Sequence, residues 1–270
     1  YKTIFNNIFQ FIGDWFVYIC ALHMNRNILY IIAFFISFNS FSQNNELGLF
    51  FGATNYIGDV GPTTYIDPLK YKGSVLKFWD LDKSTKTVFG ILYRKNFTNR
   101  IAGRVQFNYA KISSNDLWPN SATYRKQRGK SFENQISAEF GLGIDFNFFE
   151  FDLKNDDFQM SPYIHTGINY LRYNALHYPK GVSNARKYGE NSTFSVPITV
   201  GYKIKPLRDF VVGFEISAKH TFTDNLDGSY PQYKNMELYS QKAFGSNLSQ
   251  DWYVFTGFTL TYIFGSEPCY

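Results

Sequence analysis

The sequence predicts an all-β protein, an eight-stranded antiparallel transmembrane β-barrel with long extracellular loops and short periplasmic turns. Apolar residues alternate with polar residues and glycine along eight segments, which is the period of a strand whose two faces differ. The connections between these segments alternate between long and short. Aromatic residues make up 20% of the chain, enough to supply the girdles at the edges of a lipid-facing band.

The clearest alternation runs from Asn134 to Phe148 and is the fourth predicted strand. Every second residue is apolar, and this set is expected to face lipid: Ile136, Ala138, Phe140, Leu142, Ile144, Phe146 and Phe148. The intervening residues are polar or glycine and include Glu139 and Asp145. Such a strand places lipid on one side and a polar lumen on the other.

The other seven segments follow the same pattern in chain order. They cover approximately residues 46–54, 85–97, 101–110, 160–173, 195–204, 210–222 and 252–264. Segments 57–84, 113–130, 174–192 and 223–249 are the predicted long loops, and 96–99, 150–159 and 205–209 the short turns. Pro197 lacks a backbone donor, so it is expected at a bulge or local defect of the sixth strand.

A soluble lipocalin-like barrel is the alternative fold, but it would have an apolar interior and a polar exterior. The charged residues and glycines here share one face, and Phe, Ile, Val and Tyr share the other. A formal net charge of +5 without a dense Lys/Arg run gives no indication of nucleic-acid binding. The four His have no ligand spacing, and we expect no metal, cofactor or small-molecule substrate.

The first 42 residues are predicted to lie outside the barrel. Residues 24–42 have the charged, apolar and small-residue parts of a secretory signal peptide, with cleavage before Gln43. Residues 1–23 precede that signal and are interpreted as a misassigned upstream extension, with translation starting at Met24. The barrel is then expected at 43–266 and a periplasmic tail at 267–270, with both ends of the mature chain in the periplasm.

Eight charged residues are predicted to face the narrow lumen. Four are acids and four are bases, so they are expected to pair as an ionic network: Glu46, Arg94, Arg104, Glu139, Asp145, Lys203, Glu215 and Lys219. A structural plug and a gated pore or proton path are both compatible with this set.

A lipid A-modifying enzyme is a third alternative, and its candidate residues would be His165, or His220 with Thr221. No Ser/His/acid spacing supports catalysis, so the protein is predicted not to be an enzyme.

A short string after the first strand carries a resemblance to a known family. The string runs from Asn55 to Gly61 and contains Tyr56, Gly58 and Asp59; with Tyr93–Arg94 and the 143–148 stretch it resembles the PorG-like outer-membrane β-barrel family of Bacteroidota. The resemblance covers about residues 43–264. It implies an outer-membrane component of the type IX secretion and gliding machinery that contacts a periplasmic ring of PorK- and PorN-like proteins.

If that role holds, the contacts should come from the periplasmic side of the barrel. The acidic group Glu150, Asp152, Asp156 and Asp157 is the most distinctive candidate there, and an ordinary solvated turn is its alternative. The string from Asn55 to Gly61 also has a simpler interpretation, an Asx-turn without a partner. A generic structural or adhesive barrel, which binds through its long loops, is the alternative function.

Overall fold

The computed structural model describes residues 45–63, 86–118, 120–231, 243–245 and 250–265. The predicted upstream extension, signal peptide and tail lie outside these residues, as do Cys20 and Cys269. Most of the predicted first long loop, 57–84, is outside them as well.

Eight antiparallel strands form one closed barrel, in which each strand pairs with its sequence neighbours and the first pairs with the last. The strands are β1 (Asn45–Ile57), β2 (Lys86–Asn96), β3 (Ile101–Asn115), β4 (Ser131–Asn147), β5 (Gln159–His177), β6 (Arg186–Leu207), β7 (Phe210–Thr221) and β8 (Trp252–Phe264). Thirteen residue pairs, from Asn45↔Phe264 to Ile57↔Trp252, close the barrel. The predicted fold class is confirmed.

The two ends of the barrel differ in their connections. We call the end with the β1–β2, β3–β4, β5–β6 and β7–β8 connections the long-loop end, and the opposite end the short-turn end. The β3–β4 connection contains a short helix, α1 (Thr123–Arg128), which ends at Gly129 in the left-handed conformation. Among the described residues no helix is long and apolar enough to cross a membrane, an observation that does not concern strands.

The outer face is apolar and exposed around the whole barrel. Leu49, Ile91, Phe107, Ile144 and Leu260 point outward, and Val200 is 61% exposed. The eight charged residues that were predicted to face the lumen are buried on the inner face. In water such an exterior would be very unfavourable, whereas in a bilayer it is the required surface.

A bulge in β4 overturns part of the predicted lipid-facing set. The pairing of β4 with β5 shifts register between Ile136 and Ala138, and Ile136 is 0% exposed inside the barrel. An extra residue in one strand reverses the alternation beyond it, so Ile136 and Phe140 face opposite sides. Beyond the bulge Ala138 and Phe140 share the outward face, and the expectation that Ile136 faces lipid was wrong.

The β5–β6 hairpin is longer than predicted. Segment 174–192 was expected as a loop, but β5 continues to His177 and β6 begins at Arg186. Both strands pair with each other along this extension, for example Asn174 with Glu190. Because both faces of the extension lie beyond the apolar band, its residues do not alternate between apolar and polar, and the pattern could not predict a strand.

Pro197 lies at an interruption of the β5–β6 ladder. The pairs Thr166↔Ile198 and Asn169↔Ser195 share one register, but no pairs are formed between them. The missing N–H of Pro197 accounts for this local defect without a bulge.

The interior contains apolar layers in addition to charge. A large cluster fills the barrel toward the long-loop end and includes Phe50, Leu92, Ile136, Leu171 and Phe255. A smaller cluster closes the short-turn end and consists of Phe151, Leu153, Val211 and Ile263. The charged residues lie between and beside these layers. The alternation predicted a polar lumen, but the lumen contains both polar and apolar layers.

Candidate functional site

The centre of the lumen is a chain of alternating buried charges. Arg94 Nη1 lies 2.6 Å from Glu46, and Arg94 Nε lies 2.7 Å from Asp145. Arg104 continues the chain, 2.8 Å from Asp145 and 2.9 Å from Glu215. Each guanidinium therefore lies between two carboxylates, which offsets much of the desolvation cost of burying the charges.

Strand register brings these residues together. Glu46 pairs with Arg94 between β1 and β2, and Arg94 pairs with Arg104 between β2 and β3. Two arginines directly opposite each other would repel. The Asp145 carboxylate from β4 accepts hydrogen bonds from both, so the repulsion is balanced within the layer.

Polar neighbours complete the hydrogen bonding of the carboxylates. Asn96 Nδ2 donates to Glu46 at 2.8 Å, and Thr261 Oγ1 donates to the same group at 2.9 Å. Tyr163 OH donates to Glu215 at 2.6 Å, while His165 Nδ1 lies 2.7 Å from Asp145. The layer is thus a connected network, which rigidifies a buried site when every member is satisfied.

A second ion pair lies within the apolar layer. Lys219 Nζ and Tyr253 OH both donate to the Glu139 carboxylate. Asn108 Nδ2 donates to it as well, at 2.7 Å. Four strands meet at Glu139, because β3, β4, β7 and β8 each contribute one of these residues.

Lys203 is the exception among the eight predicted lumen residues. Its side chain is buried, yet its Nζ makes no hydrogen bond in the described part of the chain. The ammonium lies 4.3 Å above the Phe151 ring. A cation–π contact therefore stands where an ion pair was expected.

The turn between β4 and β5 folds into the short-turn end and closes it. Phe151 is 1% exposed and Leu153 is also buried, against Val211 and Ile263. Lys205 Nζ fixes this turn by donating to the carbonyl groups of Leu153 at 2.6 Å and Asn155 at 2.7 Å. We call residues 151–153 the turn plug.

The four acidic residues of that connection lie on its surface and do not form one group. Glu150 lies 3.4 Å from Arg100, and Asp156 lies 3.2 Å from Arg208. Asp152 accepts a hydrogen bond from Lys154 N within the turn, and Asp157 is exposed. A pocket of about 160 Å³ lies beside them, lined by residues that include Phe97, Asn99, Asp152 and Lys154.

The string from Asn55 to Gly61 lies at the opposite, long-loop end, where arginines of the β3–β4 connection hold its backbone. Arg125 Nη1 donates to the carbonyl groups of Gly58 at 2.7 Å and Gly61 at 2.8 Å. Arg128 Nη2 donates to the Asp59 carbonyl at 2.6 Å. Gly61 has φ +86°, and a side chain there would collide with Ser114, so this turn requires glycine.

The same turn is tied to the Asp116 carboxylate. Gly61 N donates to Asp116 at 2.8 Å, and Arg128 Nε lies 2.8 Å from that carboxylate. Tyr56 OH donates to Asp251, and the Tyr56 ring packs edge-on against Phe132 at 4.8 Å. We call this assembly of connections at the long-loop end the cap.

Sequence alternation missed several side chains that fill the interior. Tyr253 donates a hydrogen bond to Glu139, whereas Phe50 and Phe255 pack in the apolar layer. None of the three was predicted to have a role in the interior. The signal was present, because each occupies an inward position of a strand whose outer residues are apolar. An aromatic residue on the face assigned to the lumen indicates an apolar layer there.

Among the described residues, the space beside the central ion pairs is too small for a ligand. A cavity of about 10 Å³ is lined by residues that include His165, Ser217 and Lys219, which is space for a single water molecule. The His220 ring packs at a tilt against Trp252 with ring centroids 4.7 Å apart, and Thr221 Oγ1 donates to the Asp251 carbonyl. No His, Cys, Asp or Glu group able to hold a metal occurs within the described ranges.

A closed barrel of eight antiparallel strands with an apolar exterior and an ionic interior defines the transmembrane β-barrel class. Within that class the chain belongs to a family described as a domain of unknown function, DUF6089, whose model matches residues 25–270. No curated protein matches the sequence.

Three solved structures are similar to the chain at low sequence identity. Ail, the attachment invasion locus protein of Yersinia pestis, is 11% identical, with a TM-score of 0.39 over 82% of this chain and 99% of that chain. Neisserial surface protein A is 7% identical, with a TM-score of 0.45 over 83% and 98%. The N-terminal barrel domain of Pseudomonas aeruginosa OprF is 11% identical, with a TM-score of 0.38 over 82% and 98%.

Proposed function

We propose that this protein is a non-enzymatic outer-membrane barrel that acts as a component or anchor of the type IX secretion and gliding machinery. The observation that carries the structural, non-catalytic part is the filled interior. Buried ion pairs occupy the lumen, and the turn plug closes the short-turn end. A barrel of this kind serves as a rigid membrane-embedded body whose two ends are available for contacts.

The assignment to type IX secretion rests on the resemblance of the string from Asn55 to Gly61 to the PorG-like family of Bacteroidota. In this proposal the short-turn end faces the periplasm and both chain ends lie there, as expected for a secreted chain with an even number of strands. The partner is a periplasmic ring of PorK- and PorN-like proteins. The string itself lies at the far end, so its role is to order the cap.

The surface proposed to meet the ring surrounds the turn plug. Glu150, Asp152, Asp156 and Asp157 give it an acidic character, and the neighbouring pocket of about 160 Å³ offers a recess for a partner side chain. Because Arg100 and Arg208 already lie near two of these acids, Asp152 and Asp157 are the acids with greater freedom to meet a basic partner.

The second candidate is a structural or adhesive barrel that acts through its long loops. The ordered cap favours it, since arginine contacts fix the loops around α1 while Tyr124 and Leu117 remain exposed. Exposed aromatic and aliphatic side chains on a rigid surface are common in binding sites.

Cross-linking from cells distinguishes the two candidates. In a Cys269→Ser background, Asp157→Cys marks the short-turn end and Lys126→Cys marks the exposed surface of α1. The anchor proposal expects a periplasmic ring protein cross-linked through position 157 and not through 126. Capture only through position 126, by a protein or glycan outside the cell, would instead support the adhesive candidate.

A planar-bilayer recording tests the filled lumen directly. The purified wild-type protein is expected to show no sustained conductance because the ion-pair layer and turn plug block the barrel. A stable open channel in the wild type would contradict the scaffold proposal.

A further inference from the structure

Four aspartates meet inside the cap, where two connections of the barrel come into contact. Asp59 lies on the β1–β2 connection, and Asp224, Asp227 and Asp251 lie on the β7–β8 connection. Asp227 and Asp251 are fully buried and Asp59 nearly so. Gly245, at φ +101°, approaches the Asp59 carboxylate so closely that no side chain could be added there. We call these four residues the aspartate cluster.

Among the residues that the structure describes, few donors compensate the carboxylates of Asp224, Asp227 and Asp251. Asp251 accepts hydrogen bonds from Tyr56 OH and, at 2.8 Å, from Leu226 N. Asp227 Oδ1 accepts one from Ser229 N at 2.8 Å. Asp227 Oδ2 and Asp224 Oδ1 are buried and have no hydrogen-bond partner among the residues that the structure describes.

The basic groups of the cap that the structure describes have other partners. Arg125 donates to backbone carbonyl groups, Lys130 Nζ donates to the Val182 carbonyl, and Arg128 is paired with Asp116. The Arg128 guanidinium also interacts electrostatically with Asp227, and the phenols of Tyr173 in β5 and Tyr178 in the β5–β6 connection interact with Asp251. Among the described residues, Asp224, Asp227 and Asp251 therefore have tyrosine hydroxyl groups and other carboxylates as neighbours but no cation of their own.

Burial and mutual repulsion both favour the protonated forms. Burial, with the negative charges of Asp59 and Asp227, raises the pKa of Asp224 to about 7. Burial raises the pKa of Asp251, and the neighbouring Asp227 raises it further. Burial likewise raises the pKa of Asp227; hydrogen bonds from Ser229 and Tyr56 oppose this shift, and the charge of Asp59 adds to it.

We propose that the aspartate cluster is a proton-operated latch, which holds the β7–β8 connection against the β1–β2 connection when protonated and releases it when ionised. The ligand is the proton itself. The device goes beyond the proposed scaffold function and does not depend on it. It would let the outer surface of the barrel change with the pH of its surroundings.

The direction of the pH effect follows from the sign of the shift. A carboxyl group whose pKa is higher in the closed cap than in the released chain binds its proton more tightly when closed. For Asp224 the stabilisation is complete below the ordinary value of 3.8 and is lost as the pH rises to about 7. Above that pH the closed cap contains an additional buried charge and is weakest.

Hydrogen exchange of the purified, full barrel in lipid nanodiscs tests the latch. The amides of residues 224–229 are followed from about pH 5.5 to 8.5, with rates corrected for intrinsic exchange. Their protection is expected to fall several-fold, up to about tenfold for each pH unit, between pH 5.5 and 7 and to level off above. Strand amides of β4 should keep constant protection and serve as the internal reference.

Asp224→Asn removes the carboxyl group whose pKa lies nearest to neutral pH. In this variant the protection of the amides of residues 224–229 should depend less on pH and should exceed that of the wild type at pH 8.5. Asp59→Asn provides a second variant, which should move the fall in protection to lower pH. Asp157→Asn is the matched control at the short-turn end and should reproduce the wild-type profile. Heat-modifiable mobility on gels establishes that each variant has a folded barrel.

Three outcomes would overturn the latch. The first is wild-type protection that stays constant across the pH range, and the second is a wild-type profile in folded Asp224→Asn. The third is protection that is lost with EDTA and restored by Ca²⁺ at every pH, because a divalent cation rather than a proton would then hold the cap.

Discussion

Arg104 and Asp145 form an ion pair of 2.8 Å that joins β3 to β4 in the middle of the lumen. The same carboxylate lies 2.7 Å from Arg94 on β2 and 2.7 Å from His165 on β5. Asp145 therefore connects four consecutive strands through one side chain. Asp145 is therefore a hub of the interior ion pairs. Altering it should lower the stability of the barrel rather than abolish a catalytic activity.

Asp145→Asn should lower the free energy of unfolding by ~3–5 kcal/mol, because two buried guanidinium groups would lose a shared counter-charge. Urea-induced unfolding in lipid vesicles, followed by tryptophan fluorescence, measures the change. Asp157→Asn is the matched control, since Asp157 is exposed at the short-turn end. If both variants unfold at the same urea concentration, Asp145 is not the hub described here.

Glu139→Gln should also destabilise the barrel, since Lys219 would remain buried without its carboxylate. Adding Lys219→Met should recover most of the loss, because an apolar side chain of similar length fits the adjacent Phe255. A double-mutant cycle of unfolding free energies measures the coupling. Additive losses would show that the two residues do not act as a pair.

Lys203→Met should keep the unfolding free energy unchanged or raise it by up to ~2 kcal/mol. The Lys203 ammonium is buried without a hydrogen bond in the described part of the chain, so its removal relieves desolvation at the cost of its cation–π contacts with Phe151 and Tyr163. Arg94→Met provides the contrast, with an expected loss of ~3–5 kcal/mol. A large loss for Lys203→Met would mean that the ammonium is paired in the membrane-embedded protein.

Arg125→Gln should loosen the cap while the barrel remains folded. The Arg125 guanidinium donates to the carbonyl groups of Gly58 and Gly61, and each lost bond from a charged donor costs ~1.5–3 kcal/mol. Limited proteolysis of intact cells should cut the β1–β2 and β3–β4 connections faster than in the wild type. Lys126→Gln, on the exposed side of α1, is the control and should be cut at the wild-type rate.

The eight charged lumen residues show what the alternation of polar and apolar residues can predict and what it cannot. A strict period of 2 assigns Glu46, Arg94 and Asp145 to the face opposite the apolar one, and the structure places all eight residues inside. Alternation predicts which face of a strand a residue occupies, but not how far along the barrel its side chain lies. The pairing of Arg94 with Glu46 and Asp145, and the absence of an ion pair at Lys203, depend on strand stagger around the closed barrel.

The bulge at residue 137 and the turn plug could not be predicted from the sequence, for a related reason. Ile136 continues the apolar alternation without a break, so nothing local marks the point where its side chain turns inward. Phe151 and Leu153 lie in an acidic connection that reads as a solvated turn. Their burial depends on an open barrel end of the right width, which exists only after the strands have closed.

The sequence by itself determined the barrel, its strand number, most of its lipid-facing surface and the identity of its inward charges, because a bilayer and a narrow lumen impose opposite chemistry on alternate residues. Only the tertiary structure decided which charges pair, where the interior becomes apolar and how the cap is assembled. The aspartate cluster is the clearest example. Asp59 and Asp251 are far apart in the chain, and closure of β8 onto β1 brings their connections to the same end of the barrel.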